Sequence, residues 1–201
     1  MKTLTDENQS LDWLLIDYEY DWTKEESRNT IIDIIRKLNN WQCESIEKFI
    51  TSMPLGEHLQ DICDIVNDNY DITQCFHALA YIDDTLVGTA VITSNSKDIR
   101  ESFNTFTLPN NLKILYLIVN PEYQNLGIGT RMIKSITEHQ EFFSQGKKTF
   151  GISTNIHNEN IPSQRAFLKN KFTFYAPCKN SKIVSQYFYI DKKERLKDLV
   201  E

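Results

Sequence analysis

The most constraining feature of this 201-residue chain is a junction in the middle of its second half. Residues 113–119, "KILYLIV", are a nearly continuous apolar run, the pattern of a central strand covered on both faces, and Asn120-Pro121 ends it. Beyond "PEYQNLGIGTRM", residues 121–132, the apolar side chains Ile128, Met132 and Ile136 recur at four-residue spacing, which predicts a helix. Gly127 and Gly129 therefore fall at a strand-to-helix turn. Glycine there removes the Cβ atoms that keep a bulky anion away from the backbone, and consecutive N–H groups at a helix N-terminus then point at it. Phosphate is the natural occupant of such a turn.

Three phosphate-binding patterns space glycines in this way. The dinucleotide fingerprint needs a third glycine where Met132 stands, and the P-loop needs Gly-Lys-Ser/Thr where Gly129 is followed by Thr130-Arg131. What remains is Q-x-x-G-x-G, here Gln124, Asn125, Leu126, Gly127, Ile128 and Gly129. Downstream, residues 148–154, "KTFGIST", read as another strand, and Asn160 caps a helix that has Pro162 in its first turn.

Upstream, the alternation at the end of residues 11–22 sets Ile16, Tyr18, Tyr20 and Trp22 on one face and Asp17, Glu19 and Asp21 on the other, a first strand. Thr23 with Glu26 makes a capping box, and Ile31, Ile34, Ile35 and Leu38 form the apolar stripe of a helix that ends near residue 39. Residues 44–66 read as two short helices parted by Pro54 and Gly56. Residues 76–92 read as a hairpin turning at Asp83-Asp84, and residues 93–111 as a long polar connection of the kind used for functional loops and lids. With no internal repeat and no Pro/Gly/Ser-rich linker, the chain is expected to be one domain over residues 1–201. Its parts are an N-terminal strand and helices (1–75), the hairpin (76–92), an insertion (93–111), the core with the C-terminal strands (112–190) and a charged tail (191–201).

The Q-x-x-G-x-G turn in this setting resembles the pyrophosphate loop of the GNAT superfamily of acetyl-CoA-dependent N-acetyltransferases. In that family the second half of the cofactor site is an asparagine opening a helix, a small residue three later, an aromatic seven later and a Gly-Phe pair closing the segment. Asn160, Ser163, Phe167 and Phe172 stand at those places. The resemblance implies an α/β fold whose mixed, mostly antiparallel sheet has six or seven strands, the fourth and fifth splayed around acetyl-CoA. It also implies cofactor contacts from Leu117, Ile118, Val119, the residues 124–129 of the turn, Thr130, Asn160, Ser163 and Phe167, with a backbone N–H near Ile118 or Val119 as oxyanion donor. Two positions depart from the family: Lys171 replaces the glycine before Phe172, and Phe167 replaces a tyrosine that commonly protonates the departing CoA thiolate.

The chemistry ranks these gaps. A lysine-like amine has a pKa near ~10.4, so freeing its lone pair at pH 7 costs roughly 4.6 kcal/mol, while a thiol of pKa about 8.5 departs with far less help. A base matters more than an acid. The candidates for catalytic roles are His157, just past the expected fifth strand, Tyr116 on the fourth, and Tyr175 beyond the helix exit as an acid. The expected reaction is acetyl transfer to a primary amine in a ternary complex, the alternative being a CoA-binding or regulatory domain without catalysis, which Phe167 suggests.

Composition narrows the partners. The formal charge of −6 argues against nucleic acid and for a cationic amine, small or peptidic, with the acidic residues 17, 19, 21, 25 and 26 as a candidate acceptor groove. The polar start and the lack of any apolar run of ~18 residues predict neither a signal peptide nor a membrane segment, hence the cytoplasm. Cys43, Cys63, Cys75 and Cys178 lie far apart without a C-x-x-C pair and read as reduced thiols, so no metal site is expected. A homodimer is left open.

Overall fold

The computed structural model describes residues 3–5, 12–16, 25–39, 75–94, 112–144, 151–178 and 183–190. In chain order these form β1 (Thr3–Thr5), β2 (Asp12–Ile16), α1 (Glu25–Asn39), β3 (Cys75–Ile82), β4 (Thr85–Ser94), β5 (Leu112–Val119) and a 3-10 turn (Pro121–Tyr123). There follow α2 (Ile128–Glu138), the short α3 (Gln140–Phe143), β6 (Ile152–His157), α4 (Ile161–Lys169), β7 (Thr173–Pro177) and β8 (Val184–Tyr189).

The strands make one sheet in the order β1-β2-β3-β4-β5-β6-β8-β7, antiparallel at every pairing except β5 with β6. Eight strands replace the six or seven expected. The addition is β1, whose polar residues carry no strand pattern and which pairs on β2 in the register Leu4↔Trp13. The hairpin turns at Asp83, in the left-handed region at φ 50°, as the Asp-Asp pair predicts. β6 runs further than residues 148–154 suggested, because β8 pairs with it as far as His157↔Val184.

The parallel pairing of β5 with β6 covers only Leu112↔Ile152, Lys113↔Ser153 and Ile114↔Thr154. Beyond it the two strands part, and the Thr154 hydroxyl donates to the Ile114 carbonyl at 3.1 Å at the point of divergence. A bulge adds to the effect: Val91 faces Tyr116 while Ile92 faces Ile114, which leaves Leu115 as an extra residue on β5.

The core lies between the sheet and α2. Ile128, Met132, Ile133 and Ile136 of α2 are buried against Ala78, Ala90, Ile92, Leu112 and Ile114, each large side chain contributing about 1.5–3 kcal/mol. On α1 the expected stripe buries Ile34 and Leu38, while Glu25 and Glu26 in the first turn are exposed. The expected elements at residues 17–24, 40–74 and 95–111, with the acidic face 17–21, Thr23, Cys43 and Cys63, lie outside the described residues, as do the first half of the 148–154 segment and the tail. Among the described residues no helix is long and apolar enough to cross a membrane.

Candidate functional site

The turn between β5 and α2 is built from side-chain bonds back to the sheet. Asn120 accepts from the Glu122 N–H at 3.2 Å and donates to the Leu86 carbonyl at 3.3 Å, and the Gln124 amide donates to the Val119 carbonyl at 3.3 Å. Gln124 thus ties the turn to the end of β5. Asn125 and Gly127 then take left-handed backbone conformations at φ 62° and 79°, and Gly127 is the N-cap of α2 without a side-chain cap. The first bond inside α2 is Arg131 N–H to Gly127 O at 3.0 Å, so the N–H groups of Ile128, Gly129 and Thr130 have no carbonyl of their own helix to meet.

These N–H groups open on a cleft of about 450 Å³, the size of a small-molecule site. Its walls are the ends of β5 and the turn on one side and α4 on the other. Asn160 caps α4 by accepting from the Ser163 N–H at 3.2 Å, as its sequence pattern predicts. At the far end of α4, Asn170 donates to the Thr130 carbonyl at 3.0 Å and so docks this helix on α2.

Of the residues expected at the cofactor, Leu117, Ile118, Val119, Gln124, Asn125, Gly127, Ile128, Gly129, Thr130, Asn160, Ser163 and Phe167 line the cleft. Leu126 does not; it stands 66% exposed on the turn. Sequence reasoning missed seven lining residues, the charged Glu159, Arg165 and Lys169 with Tyr123, Ile133, Pro162 and Ala166. The two cations lie four apart on α4, a helical spacing that marks one face, and only the docking of α4 tells which face meets the cleft.

The direction of the β5 backbone corrects another expectation. The Asn120 N–H bonds the Val87 carbonyl at 2.9 Å, and along an antiparallel ladder such groups alternate sides. Ile118 therefore turns its N–H toward β4, and Leu117 and Val119 turn theirs toward the gap between β5 and β6. An oxyanion donor at this point is Leu117 or Val119, not Ile118.

None of the three catalytic candidates lines the cleft. Tyr116 is half-buried on the opposite face of the sheet, paired with Val91, and burial pushes its phenol pKa up, so it stays protonated at neutral pH. His157 is the last residue of β6 rather than one beyond it, and its Nδ1 accepts from the Glu159 N–H at 3.2 Å. In that arrangement Nδ1 is an acceptor, and service as a base requires it to release Glu159. Tyr175 is 52% exposed on the edge strand β7, against the Phe188 ring at 5.2 Å. Two strand spacings, about 10 Å, separate it from β6. Among the described residues no group of His, Cys, Asp and Glu could hold a metal ion.

A splayed parallel pair, an uncapped helix N-terminus and a cleft between them suit an elongated ligand with a pyrophosphate. A family model described as the acetyltransferase (GNAT) family matches residues 11–172. The chain belongs to this family. No curated protein matches it. Among solved structures, an uncharacterized protein from Bacillus halodurans aligns with a TM-score of 0.64 at 16% identity, over 90% of this chain and 83% of the other. Aminoglycoside acetyltransferase AAC(6')-Ib in complex with coenzyme A aligns at 0.63 and 12%, over 90% and 94%. A spermidine N-acetyltransferase chimera from Vibrio cholerae and hSSAT aligns at 0.61 and 11%, over 92% and 98%. At such identities the likeness is one of fold. GNAT acetyltransferases use acetyl-CoA, and the uncapped N-terminus of α2, with Gly127, Gly129 and Thr130 on the cleft, is of the kind that accepts a phosphate.

Proposed function

We propose that this acetyltransferase moves the acetyl group of acetyl-CoA onto a primary amine, small and cationic or at a peptide terminus, by direct transfer with both substrates bound. The observation that carries the reading is the cleft in which the end of β5, beyond its last pairing with β6 at Ile114↔Thr154, meets the uncapped end of α2. Acetyl-CoA supplies an activated thioester. The chain supplies the rest: N–H groups of Ile128, Gly129 and Thr130 for the pyrophosphate, Arg165 and Lys169 for further phosphate charge, and the N–H groups of Leu117 and Val119 for the thioester carbonyl.

The acceptor enters from the face that carries Tyr116, opposite α2. The net charge of −6 and the exposed acidic first turn of α1, Glu25 and Glu26, favour a cationic acceptor. Structural neighbours named for aminoglycosides, spermidine and a ribosomal protein, all amine acceptors, support the same class. Phe167 offers no hydroxyl for the leaving thiolate, and a thiolate needs none; Tyr116 remains a candidate donor and His157 the candidate base once Nδ1 releases Glu159, while Tyr175 stands too far along the sheet for either part.

The test is a time course of CoA release from acetyl-CoA with a panel of polyamines, aminoglycosides, basic peptides and neutral amino acids. The expected result is turnover of a cationic amine, intersecting initial-velocity lines, and a KM that rises with ionic strength. A neutral amino acid as best acceptor, with a KM indifferent to salt, would sink the cationic assignment; parallel lines would sink direct transfer.

A further inference from the structure

Asn155 is the first residue of β6 beyond its last pairing with β5, Ile114↔Thr154. The strand runs without irregularity against β8, where Asn155 pairs with Gln186, so its side chains alternate strictly. Ile152 and Ile156 belong to the core under α2, which turns Asn155 to the other face of the sheet, the face that also carries Tyr116 across the gap. Its carboxamide oxygen Oδ1 is closed off from solvent and accepts no hydrogen bond. Ser153 and Thr154, two and one residues earlier, send their hydroxyls to the β5 carbonyls of Leu112 and Ile114; Asn155 comes just after those partners end. A buried carbonyl oxygen without a donor is costly, and folded chains keep one chiefly where a ligand or water supplies the missing N–H or O–H.

We infer that Asn155 Oδ1, held at the point where β5 and β6 part, receives a hydrogen bond from the acceptor amine and selects a nucleophile that carries an N–H. This rests on the proposed transfer to an amine. In that reaction the amine nitrogen forms a C–N bond to the acetyl carbon, the C–S bond breaks with its electron pair on sulfur, and the surplus proton of the nitrogen ends on the thiolate. Asn155 exchanges no proton. An N–H donated to the β6 wall turns the nitrogen lone pair toward the β5 wall, where Leu117 and Val119 offer their N–H groups to the carbonyl. The amide thus orients the nucleophile instead of deprotonating it.

The test compares wild type, Asn155→Leu, of similar volume without polar atoms, and Asn155→Asp, which keeps an oxygen acceptor. Calorimetry with CoA and steady-state kinetics with the best amine of the panel are run on each. CoA affinity is expected to stay within about twofold throughout, while kcat/KM falls about tenfold to a hundredfold in Asn155→Leu, the loss of one buried hydrogen bond. Asn155→Asp is expected to keep kcat/KM within about threefold, and its carboxylate to move the rising limb of kcat to higher pH by stabilising the bound ammonium. A wild type that turns over amine together with an Asn155→Leu protein of undiminished kcat/KM would overturn this role and leave the acetyltransfer reading intact. A wild type that binds CoA but acetylates no amine would overturn both. Should Asn155→Leu fail to fold, the pH limb of Asn155→Asp decides: an unmoved limb rejects the contact.

Discussion

The ring of Phe167 stands edge-on to that of Phe172 with centroids 4.9 Å apart, and the Phe172 N–H bonds the Phe167 carbonyl at 3.2 Å. With Lys171 N–H on the Leu168 carbonyl at 3.0 Å, this is the paired closure of a helix end, its hydrophobic contact included. The residue that faces the cleft where the family has a hydroxyl is therefore also the clasp of α4, and it is 4% exposed.

Phe167→Tyr keeps that clasp and adds an acid at the cleft. Because the leaving thiolate needs little help, kcat should change by less than about tenfold, the span of about 1.4 kcal/mol. Steady-state rates of both proteins check this. A silent wild type that the substitution switches on would show that loss of the acid had disabled the enzyme.

Lys171 takes φ 66°, a left-handed conformation where the family has glycine. An L side chain there costs roughly 1–2 kcal/mol, part of which glycine gives back as chain entropy in the unfolded state. Lys171→Gly should stabilise the protein by up to about 1 kcal/mol and raise its melting temperature by about 2–4 °C. A lower melting temperature would contradict this account of the helix exit.

The two glycines of the turn should fail in different ways. Gly127 has nothing within 4 Å of an added Cβ but holds φ 79°, so Gly127→Ala should cost about 1–2 kcal/mol of stability. Gly129 is helical, and an added Cβ meets only ordinary contacts, so Gly129→Asp should leave the melting temperature close to wild type while removing CoA affinity by charge and bulk. Calorimetry and melting run side by side separate the two, and CoA binding by folded Gly129→Asp would refute the phosphate assignment of the turn.

Arg165 and Lys169 are exposed cations on the cleft, screened by salt. Removing either to alanine should weaken CoA binding by up to about fivefold at low ionic strength and flatten its salt dependence. Lys134, paired with Glu138 at 3.6 Å on α2 and absent from the cleft, is the control whose removal should change neither.

Lys113 lies 6% exposed on β5, and burial holds its ammonium below the ordinary lysine pKa, with Cys178 partly opposing that shift. The unfolded chain binds this proton more tightly, so the residue costs stability at neutral pH, and the cost fades as pH climbs from the folded pKa toward the unfolded value near ~10.4. Lys113→Met should therefore be more stable than wild type at pH 7, by a margin that shrinks as pH approaches 10. Denaturant titrations at several pH values measure it; a constant margin would exclude the titration of Lys113 as its source.

Much of the molecule was legible one element at a time. The apolar run of β5, the four-residue spacing of α2, the Asp83-Asp84 turn and the cap at Asn160 are patterns within a dozen residues, where backbone geometry alone fixes which side chains share a face. Most of the cleft lining followed, because the Q-x-x-G-x-G turn and the Asn160 helix carry their own local geometry. What depended on other strands and helices was beyond it. That Val119 and not Ile118 turns its N–H into the gap is decided by the register of β5 on β4, where a slip of one residue exchanges the two sides. Arg165 and Lys169 reach the cleft because Asn170 docks α4 on the Thr130 carbonyl. Asn155 is singled out only by where its neighbours stop pairing. The sequence by itself determined the elements and the glycine turn; the tertiary structure decided which backbone groups and which polar side chains face the gap, since those follow from contacts between residues some 40 positions apart, as in Thr154 with Ile114.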